Sequence, residues 1–127
     1  VYPLTITASN GLDPDAVQAF ELTVNESPMI TSQDKTTFFV GVDGNFLVQA
    51  TGFPVPTLDY LGELPLGLQF TDNDDGTASI SGVPGENTGG DYPLTIRASN
   101  VPDQYHTQAF TLTLTDGFLL FLPLIVQ

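Results

Sequence analysis

The sequence predicts an all-β protein that folds as an antiparallel β-sandwich, and three features predict this fold. Apolar and polar residues alternate over several short segments, as expected of strands with one buried face. Twelve Gly and ten Pro residues recur between these segments and leave little room for a helix of useful length. The 127-residue chain is 41% hydrophobic, which is enough for one packed domain and a short extension.

Five strands follow from the alternation. Thr36 to Val40 and Thr57 to Leu61 are short, and Asn45 to Ala50 carries its apolar side chains on one face. Tyr92 to Ser99 and Thr107 to Thr115 alternate more strictly, and the second of them has Thr at its solvent-facing positions. Six side chains are predicted to lie in the core of the sandwich, namely Phe46, Val48, Leu94, Ile96, Phe110 and Leu112.

An internal repeat supplies two more strands at the start of the chain. Shifted by 90 positions, Tyr2 to Val24 overlays Tyr92 to Leu114 without a gap. Ala16 to Val24 alone could form a helical turn, but the alternating Thr residues of the second copy indicate a strand. A period of 90 residues is the size of a whole sandwich, so the repeat predicts sandwiches in tandem.

The repeat divides the chain into four predicted parts. They are the last two strands of a preceding repeat (1–24), a linker (25–28), a complete sandwich (29–115) and an apolar tail (116–127). In the tail, Phe118 to Val126 is interrupted only by Pro123. A membrane-spanning helix needs about 20 apolar residues, so no membrane span is predicted in this chain. The tail is open to three interpretations: a truncated anchor, a strand that pairs elsewhere, or an artificial extension.

The complete sandwich carries motifs that resemble those of a known family. In order, they are Leu64-Pro65-Leu66-Gly67-Leu68, Ile80-Ser81-Gly82-Val83-Pro84, Gly90-Asp91-Tyr92 and Ala98-Ser99-Asn100. They resemble the signature of a family of immunoglobulin-like domains that is related to the cadherin-like modules of dystroglycan type. The resemblance implies a β-sandwich that occurs as tandem repeats in secreted or surface-attached bacterial proteins, where it spaces, stiffens or adheres. It implies no catalytic residue.

The segment Gly76 to Gly82 departs from the family pattern, because it is two residues longer than usual. An insertion of two residues preserves the alternation of a strand. We therefore expect a longer hairpin whose core face still points inward.

The charge and the residue types exclude several functions. Fifteen acidic residues against two basic ones give a net charge of -13, which would repel nucleic acid and anionic lipid. The chain has no Cys, which excludes a thiolate metal site and a cysteine nucleophile. The single histidine, His106, is predicted to be an exposed loop residue, because the first copy has Ala16 in its place. We predict no enzyme, no catalytic residue and no cofactor other than calcium.

Calcium is predicted at the densest acidic cluster. Asp72, Asp74 and Asp75 are hard oxygen ligands followed by Gly76, which is similar to the start of a calcium loop. The match is partial, because Val83 stands where an EF-hand loop has its last acidic ligand. The alternative is a solvated hairpin tip that uses Asp and Gly for its turn. A second candidate calcium position is the junction between repeats, near Glu26.

The sequence therefore predicts a non-enzymatic structural or adhesive module of a protein that is extracellular or on the cell surface. Its partners would be neighbouring repeats, copies of itself, or a surface protein or glycan. One alternative is an extracellular fibre subunit completed by β-strand donation between molecules. Its assembly residues would be Tyr2, Leu4, Ile6, Phe20, Leu22, Val24, Phe118 and Leu120. A second alternative is a carbohydrate-binding module with a platform drawn from Phe38, Phe39, Tyr60 and Tyr105.

Overall fold

The computed structural model describes residues 1–101 and 103–116, and this part of the chain contains strands and no helix. The all-β prediction is confirmed. The ten strands are β1 (Tyr2–Ala8), β2 (Ala16–Leu22), β3 (Glu26–Ile30), β4 (Lys35–Phe39), β5 (Gly44–Phe53), β6 (Thr57–Leu61), β7 (Leu68–Asp72), β8 (Thr77–Gly82), β9 (Gly90–Val101) and β10 (Gln104–Thr115).

Eight of the strands form two four-stranded sheets that pack face to face. The strand order is β3-β5-β8-β7 in one sheet and β4-β10-β9-β6 in the other. These orders correspond to the two sheets of an immunoglobulin-like sandwich, with β4 added beside the last strand. The β4–β10 pair is parallel, which departs from the predicted antiparallel arrangement. The reason is that the chain follows β10 in one direction from β3 into β4. Ile30 bonds to His106, Ser32 bonds to Gln108, and Lys35 pairs with Thr111.

The core lies between the two sheets. Five of the six predicted core side chains are at most 4% exposed. The sixth, Phe46, is partly buried, and its ring centroid lies 5.3 Å from that of Phe110. The core prediction is confirmed. The buried apolar side chains are Ile30, Phe38, Val48, Leu58, Ala78, Ile80, Leu94, Ile96, Ala98, Phe110, Leu112 and Leu114.

The sandwich begins earlier than the sequence predicted. β3 starts at Glu26, inside the segment 25–28 that was expected to be a linker. Pro28 is buried, and the Asn100 side-chain amide donates a hydrogen bond to the Glu26 carbonyl at 2.7 Å. These contacts come from distant parts of the chain, so the local sequence does not reveal them.

His106 does not lie in an exposed loop, and that prediction is wrong. β10 begins at Gln104, three residues before its predicted start, because its pairing with β9 extends toward the turn. His106 is partly buried, and its Nδ1 accepts a hydrogen bond from the Ile30 N–H at 3.1 Å. The histidine therefore ties β3 to β10.

Two glycines of the family-like motifs, Gly67 and Gly82, lie where two backbone segments approach closely. Gly85 N–H donates to the Leu66 carbonyl at 2.9 Å, which holds the two motifs together at one end of β7 and β8. Gly67 and Gly82 have φ values of 96° and 133°. A Cβ on Gly67 would collide with the Val83 carbonyl. Only Gly fits such a position.

The longer segment at Gly76 to Gly82 keeps its core face, as predicted. Ala78 and Ile80 have no exposed surface. The β7–β8 hairpin therefore keeps its apolar face toward the core, while its greater length relative to the family pattern stays a prediction.

The apolar tail lies outside the described residues. Phe118 and Leu120, two of the predicted assembly residues, belong to it, so their roles stay predictions. In the part of the chain that the structure describes, no helix is long and apolar enough to cross a membrane.

Candidate functional site

β1 and β2 form a separate two-stranded hairpin that pairs in the same register as β9 and β10. Leu4 pairs with Phe20 in the first hairpin, and Leu94 pairs with Phe110 in the second. All seven residue pairs of the first hairpin recur 90 residues later in the second. β2 is a strand, as the repeat predicted, and not a helical turn.

The apolar face of the first hairpin is open to solvent, whereas the same face of the second hairpin is core. Every residue from Val1 to Ser27 is exposed. Four of the equivalent side chains in β9 and β10, namely Leu94, Ile96, Phe110 and Leu112, are at most 4% exposed. The predicted assembly residues in the described chain are 41–58% exposed, and they are Tyr2, Leu4, Ile6, Phe20, Leu22 and Val24.

The inward-facing residues of the two hairpins are nearly identical. Nine alternating positions of β9 and β10 point toward the core, from Tyr92 to Ala98 and from His106 to Leu114. Seven of these nine have the same residue 90 positions earlier, and the exceptions are His106, which corresponds to Ala16, and Leu114, which corresponds to Val24. The first hairpin thus carries a complete core face that nothing in the described chain buries.

A polar groove of about 350 Å³ lies where β3 begins. The Ser27 hydroxyl donates to the Gln104 amide oxygen at 3.0 Å within it. Glu26 is the single carboxylate among its lining residues, so these residues offer calcium one charged ligand. The lining residues are Asn25, Glu26, Ser27, Asn100, Val101 and Gln104.

Two amide side chains fasten the start of the sandwich to β9 and β10. Asn100 Nδ2 donates to the Glu26 carbonyl at 2.7 Å, and Gln108 Nε2 donates to the Ser32 carbonyl at 3.0 Å. The oxygens of both amides are buried and have no hydrogen-bond partner among the described residues. Both residues recur 90 positions apart, as Asn10 and Gln18, and this recurrence is the signal of their role in the sequence.

The acidic cluster forms the turn between β7 and β8. Asp74 has a φ of 61°, a left-handed conformation that Asp tolerates in turns. Asp74 N–H donates to Asp72 Oδ1 at 3.1 Å. Thr77 donates to Asp75 Oδ1 through its hydroxyl and its N–H, and these bonds lower the pKa of Asp75 below its ordinary value. The carboxylates of Asp72 and Asp75 therefore hold the turn together.

Asp72 also connects the two sheets. Its Oδ2 accepts a hydrogen bond from the Leu58 N–H at 3.1 Å, and Leu58 lies on β6, an edge strand of the opposite sheet. The bond satisfies an edge donor that another chain could otherwise pair with. Among the described residues, no three His, Cys, Asp or Glu side chains are grouped so that they could hold a metal ion. Calcium at Asp72, Asp74 and Asp75 stays a prediction.

The four aromatic residues considered for sugar binding do not form one surface. Phe38 is buried, and Tyr60 packs against Phe70 with ring centroids 5.0 Å apart. Phe39 and Tyr105 are exposed, but Phe39 lies beside the last residue of β10 and Tyr105 near its first. About 30 Å of strand separates them. The carbohydrate-binding alternative therefore lacks a platform built from these residues.

Comparison with solved structures identifies an immunoglobulin-like fold. Titin domain M7 is 19% identical with a TM-score of 0.55, and the match covers 73% of this chain and 98% of M7. The titin tandem A164-A165 is 15% identical with a TM-score of 0.55, over 87% of this chain and 60% of the tandem. A candidate alpha-galactosidase from Bacteroides fragilis is 26% identical with a TM-score of 0.59 over 76% of this chain, which spans only 19% of that protein.

These similarities establish the fold. No model of a known protein family matches the sequence, and no curated protein matches it. The immunoglobulin-like part of the predicted resemblance is therefore confirmed, while the relation to cadherin-like modules of dystroglycan type stays a prediction.

Proposed function

We propose that the protein is a non-enzymatic structural module of a serial immunoglobulin-like array, carried by a secreted or cell-surface protein. Each sandwich would space and stiffen the array, and neighbouring repeats would be its partners. The observation that supports this proposal is that the chain enters the sandwich at one end and leaves it at the opposite end.

The chain enters the sandwich at one end and leaves it at the other. β3 starts beside Asn100 and Gln104, close to the turn between β9 and β10. From there, the 12 residues of β10 run to Thr115, a distance of roughly 36 Å at the usual rise of a strand. Entry and exit at opposite ends allow sandwiches to follow one another in a line.

The first hairpin supports the same arrangement. β2 has the register that β10 has in the sandwich, and only Thr23 to Asn25 separate it from β3. A connection of three residues leaves two successive sandwiches few relative orientations. The array would therefore be stiffer than one joined by long flexible linkers.

The residues that could act as general acids or bases instead make hydrogen bonds that stabilise the fold. His106 accepts the Ile30 N–H, and Asp72 and Asp75 accept backbone donors of the β7–β8 turn and of β6. These contacts give each group a role in the framework, which is what a spacer requires.

Lengthening the chain by one period tests the proposal. A second copy of residues 26–115 is inserted directly after Thr115, which preserves the spacing found between the two hairpins. Small-angle X-ray scattering should show that the maximum dimension grows by about 40 Å over the unmodified chain, one module length. A doubled chain that folds back into a compact particle would contradict the spacer function.

The exposed hairpin face favours a second candidate, an extracellular fibre subunit completed by strand donation. The segment Phe118 to Val126 of one molecule would add to the hairpin of the next, and such unlike surfaces can continue as a filament. Light scattering on the full chain and on a chain lacking residues 1–24 separates the two functions. A fibre subunit polymerises as the full chain but not when residues 1–24 are removed. An array module has the same state of assembly in the full chain and in the shortened chain.

A further inference from the structure

We infer that the exposed face of the β1–β2 hairpin is a docking surface for a four-stranded sheet with the chemistry of β3-β5-β8-β7. In the proposed array this sheet is that of the module immediately ahead in the same polypeptide. The inference rests on the proposed function and adds the identity of the partner and the way it is recognised.

The second hairpin shows what such a sheet contributes. The inward side chains of β9 and β10 share one core with Val48, Ala78 and Ile80 of β5 and β8, all of which have no exposed surface. Phe110 lies with its ring centroid 5.3 Å from that of Phe46 on β5. Because the first hairpin repeats seven of the nine inward residues in the same register, it offers the same shape to a sheet of this kind.

The amide side chains specify the partner beyond its apolar character. Asn100 and Gln108 donate to two backbone carbonyls, one at the start of β3 and one just after it. Asn10 and Gln18 stand at the equivalent places of the first hairpin. A sheet that presents two such carbonyls, one at the start of its first strand and one just after it, accepts a hydrogen bond from the NH2 group of each amide. A lipid surface or the apolar face of another hairpin does not.

Copies of this chain cannot cover the face by exchanging hairpins. Each chain carries two hairpins of this kind but, among the described residues, one four-stranded sheet that receives them. Any exchange between copies leaves one hairpin per chain uncovered. A module that has the four-stranded sheet but takes residues 2–24 as its own last hairpin leaves no hairpin uncovered. We therefore assign the docking surface to such a module and not to a second copy of this chain.

A hairpin graft tests the inference in the full chain. Residues 92–114 are replaced by a copy of residues 2–24, which changes nine positions. We expect a single cooperative unfolding transition, with its midpoint below that of the parent because the graft loses His106. The matched control is a graft of residues 3–25, which turns every apolar side chain to the opposite face and should abolish the transition.

A second graft keeps the parent turn, in case the first graft fails to fold only because its turn differs. It keeps residues 101–106 and makes only Arg97→Thr, Thr107→Val, Thr111→Glu and Leu114→Val. Adding Gln108→Ala should lower the midpoint equally in the parent and in this graft if the hairpin docks in the same way. Cooperative unfolding of the first graft supports the inference. Cooperative unfolding of the second graft, with the same loss from Gln108→Ala as in the parent, also supports it.

Two results would overturn the inference. One is that both in-register grafts unfold like the shifted control. The other is that the parent chain is a dimer that Phe20→Asp dissociates while the grafts do not fold, which would assign the face to a second copy. Neither result requires the doubled chain to fold back into a compact particle, so a failure of the docking surface is distinguishable from a failure of the spacer function.

Discussion

Phe20 and Phe110 are the same residue at equivalent positions of two hairpins, but their surroundings differ. Phe110 is 2% exposed and packs against Phe46 across the core, whereas Phe20 is 41% exposed. The contribution of an aromatic ring to stability depends on the apolar surface that it buries and on the packing around it. The two residues therefore form an internal comparison within one chain.

Phe110→Ala should lower the free energy of unfolding by about 3 to 5 kcal/mol, because it removes a ring from a packed core and leaves a cavity. Phe20→Ala is the matched control and should change it by no more than about 0.5 kcal/mol, as expected for an exposed position. Urea unfolding of both variants beside the parent measures the difference. Equal losses would mean that the first hairpin is buried in solution.

Asp72 is a second residue with a measurable structural role. Asp72→Ala should lower the free energy of unfolding by about 1 to 3 kcal/mol, because the Leu58 N–H and the Asp74 N–H lose a charged acceptor. Asp43→Ala removes the same charge from an exposed position and serves as the control. If the two variants have the same unfolding midpoint in urea, the bond between Asp72 and β6 contributes nothing.

The sequence could predict the core residues but not the role of Asp72. Val48 and Ile96 were predictable because alternation within one strand already fixes which face is apolar. The bond from Leu58 to Asp72 joins residues 14 positions apart on different sheets. It depends on how the sheets pack, and no local pattern encodes that packing.

At the scale of the element, the acidic residues of the β7–β8 turn have two alternative roles: they bind calcium, or they only shape the turn. We expect the thermal unfolding midpoint to stay the same in millimolar calcium, because Asp72 and Asp75 already accept hydrogen bonds from the turn. Magnesium at the same concentration is the control for ionic strength. A midpoint that rises with calcium alone, and no longer does so in Asp74→Asn, would establish a calcium site, since a ligand of the folded state must stabilise it.

β3 is the element that the sequence predicted least well. Its residues Glu26, Ser27 and Pro28 have the composition of a linker, and Pro is tolerated because β3 is an edge strand. Its pairing with β5 is interrupted by a register shift. The strand depends on side chains from β9 and β10, which approach it only in the folded molecule. The hairpin β1–β2 was predictable for the opposite reason, since its second copy shows the pattern clearly.

At the scale of the whole molecule, charge is the dominant feature. The chain has fifteen acidic residues and only two basic ones, so the acidic groups repel one another in the compact state. The described residues contain one ion pair, between Arg97 and Asp59. Raising the salt concentration from 0.01 to 0.15 M shortens the screening length from about 30 to about 8 Å. The thermal midpoint should therefore rise, by roughly 4 to 8 °C for each 1 kcal/mol of repulsion removed.

Differential scanning calorimetry in sodium chloride measures this shift, and potassium chloride at equal ionic strength controls for a specific ion effect. A midpoint that falls or stays constant as salt is added would show that the acidic groups are too far apart to destabilise the fold.

The parallel pairing of β4 with β10 determines how the sandwich would respond to tension. The chain enters through β3, which leads into β4, and it leaves at the end of β10. A pull on the two ends therefore loads the pairing of β3 with β5 and slides β4 past β10 along their length. The hydrogen bonds between them, from Thr111 N–H to the Asp34 carbonyl at one end and from Val40 N–H to the Thr115 carbonyl at the other, would be sheared together. They would not open one after another, as in an unzipping hairpin. A row of such sandwiches would keep its length up to a threshold force and then extend stepwise, one sandwich rupturing at a time.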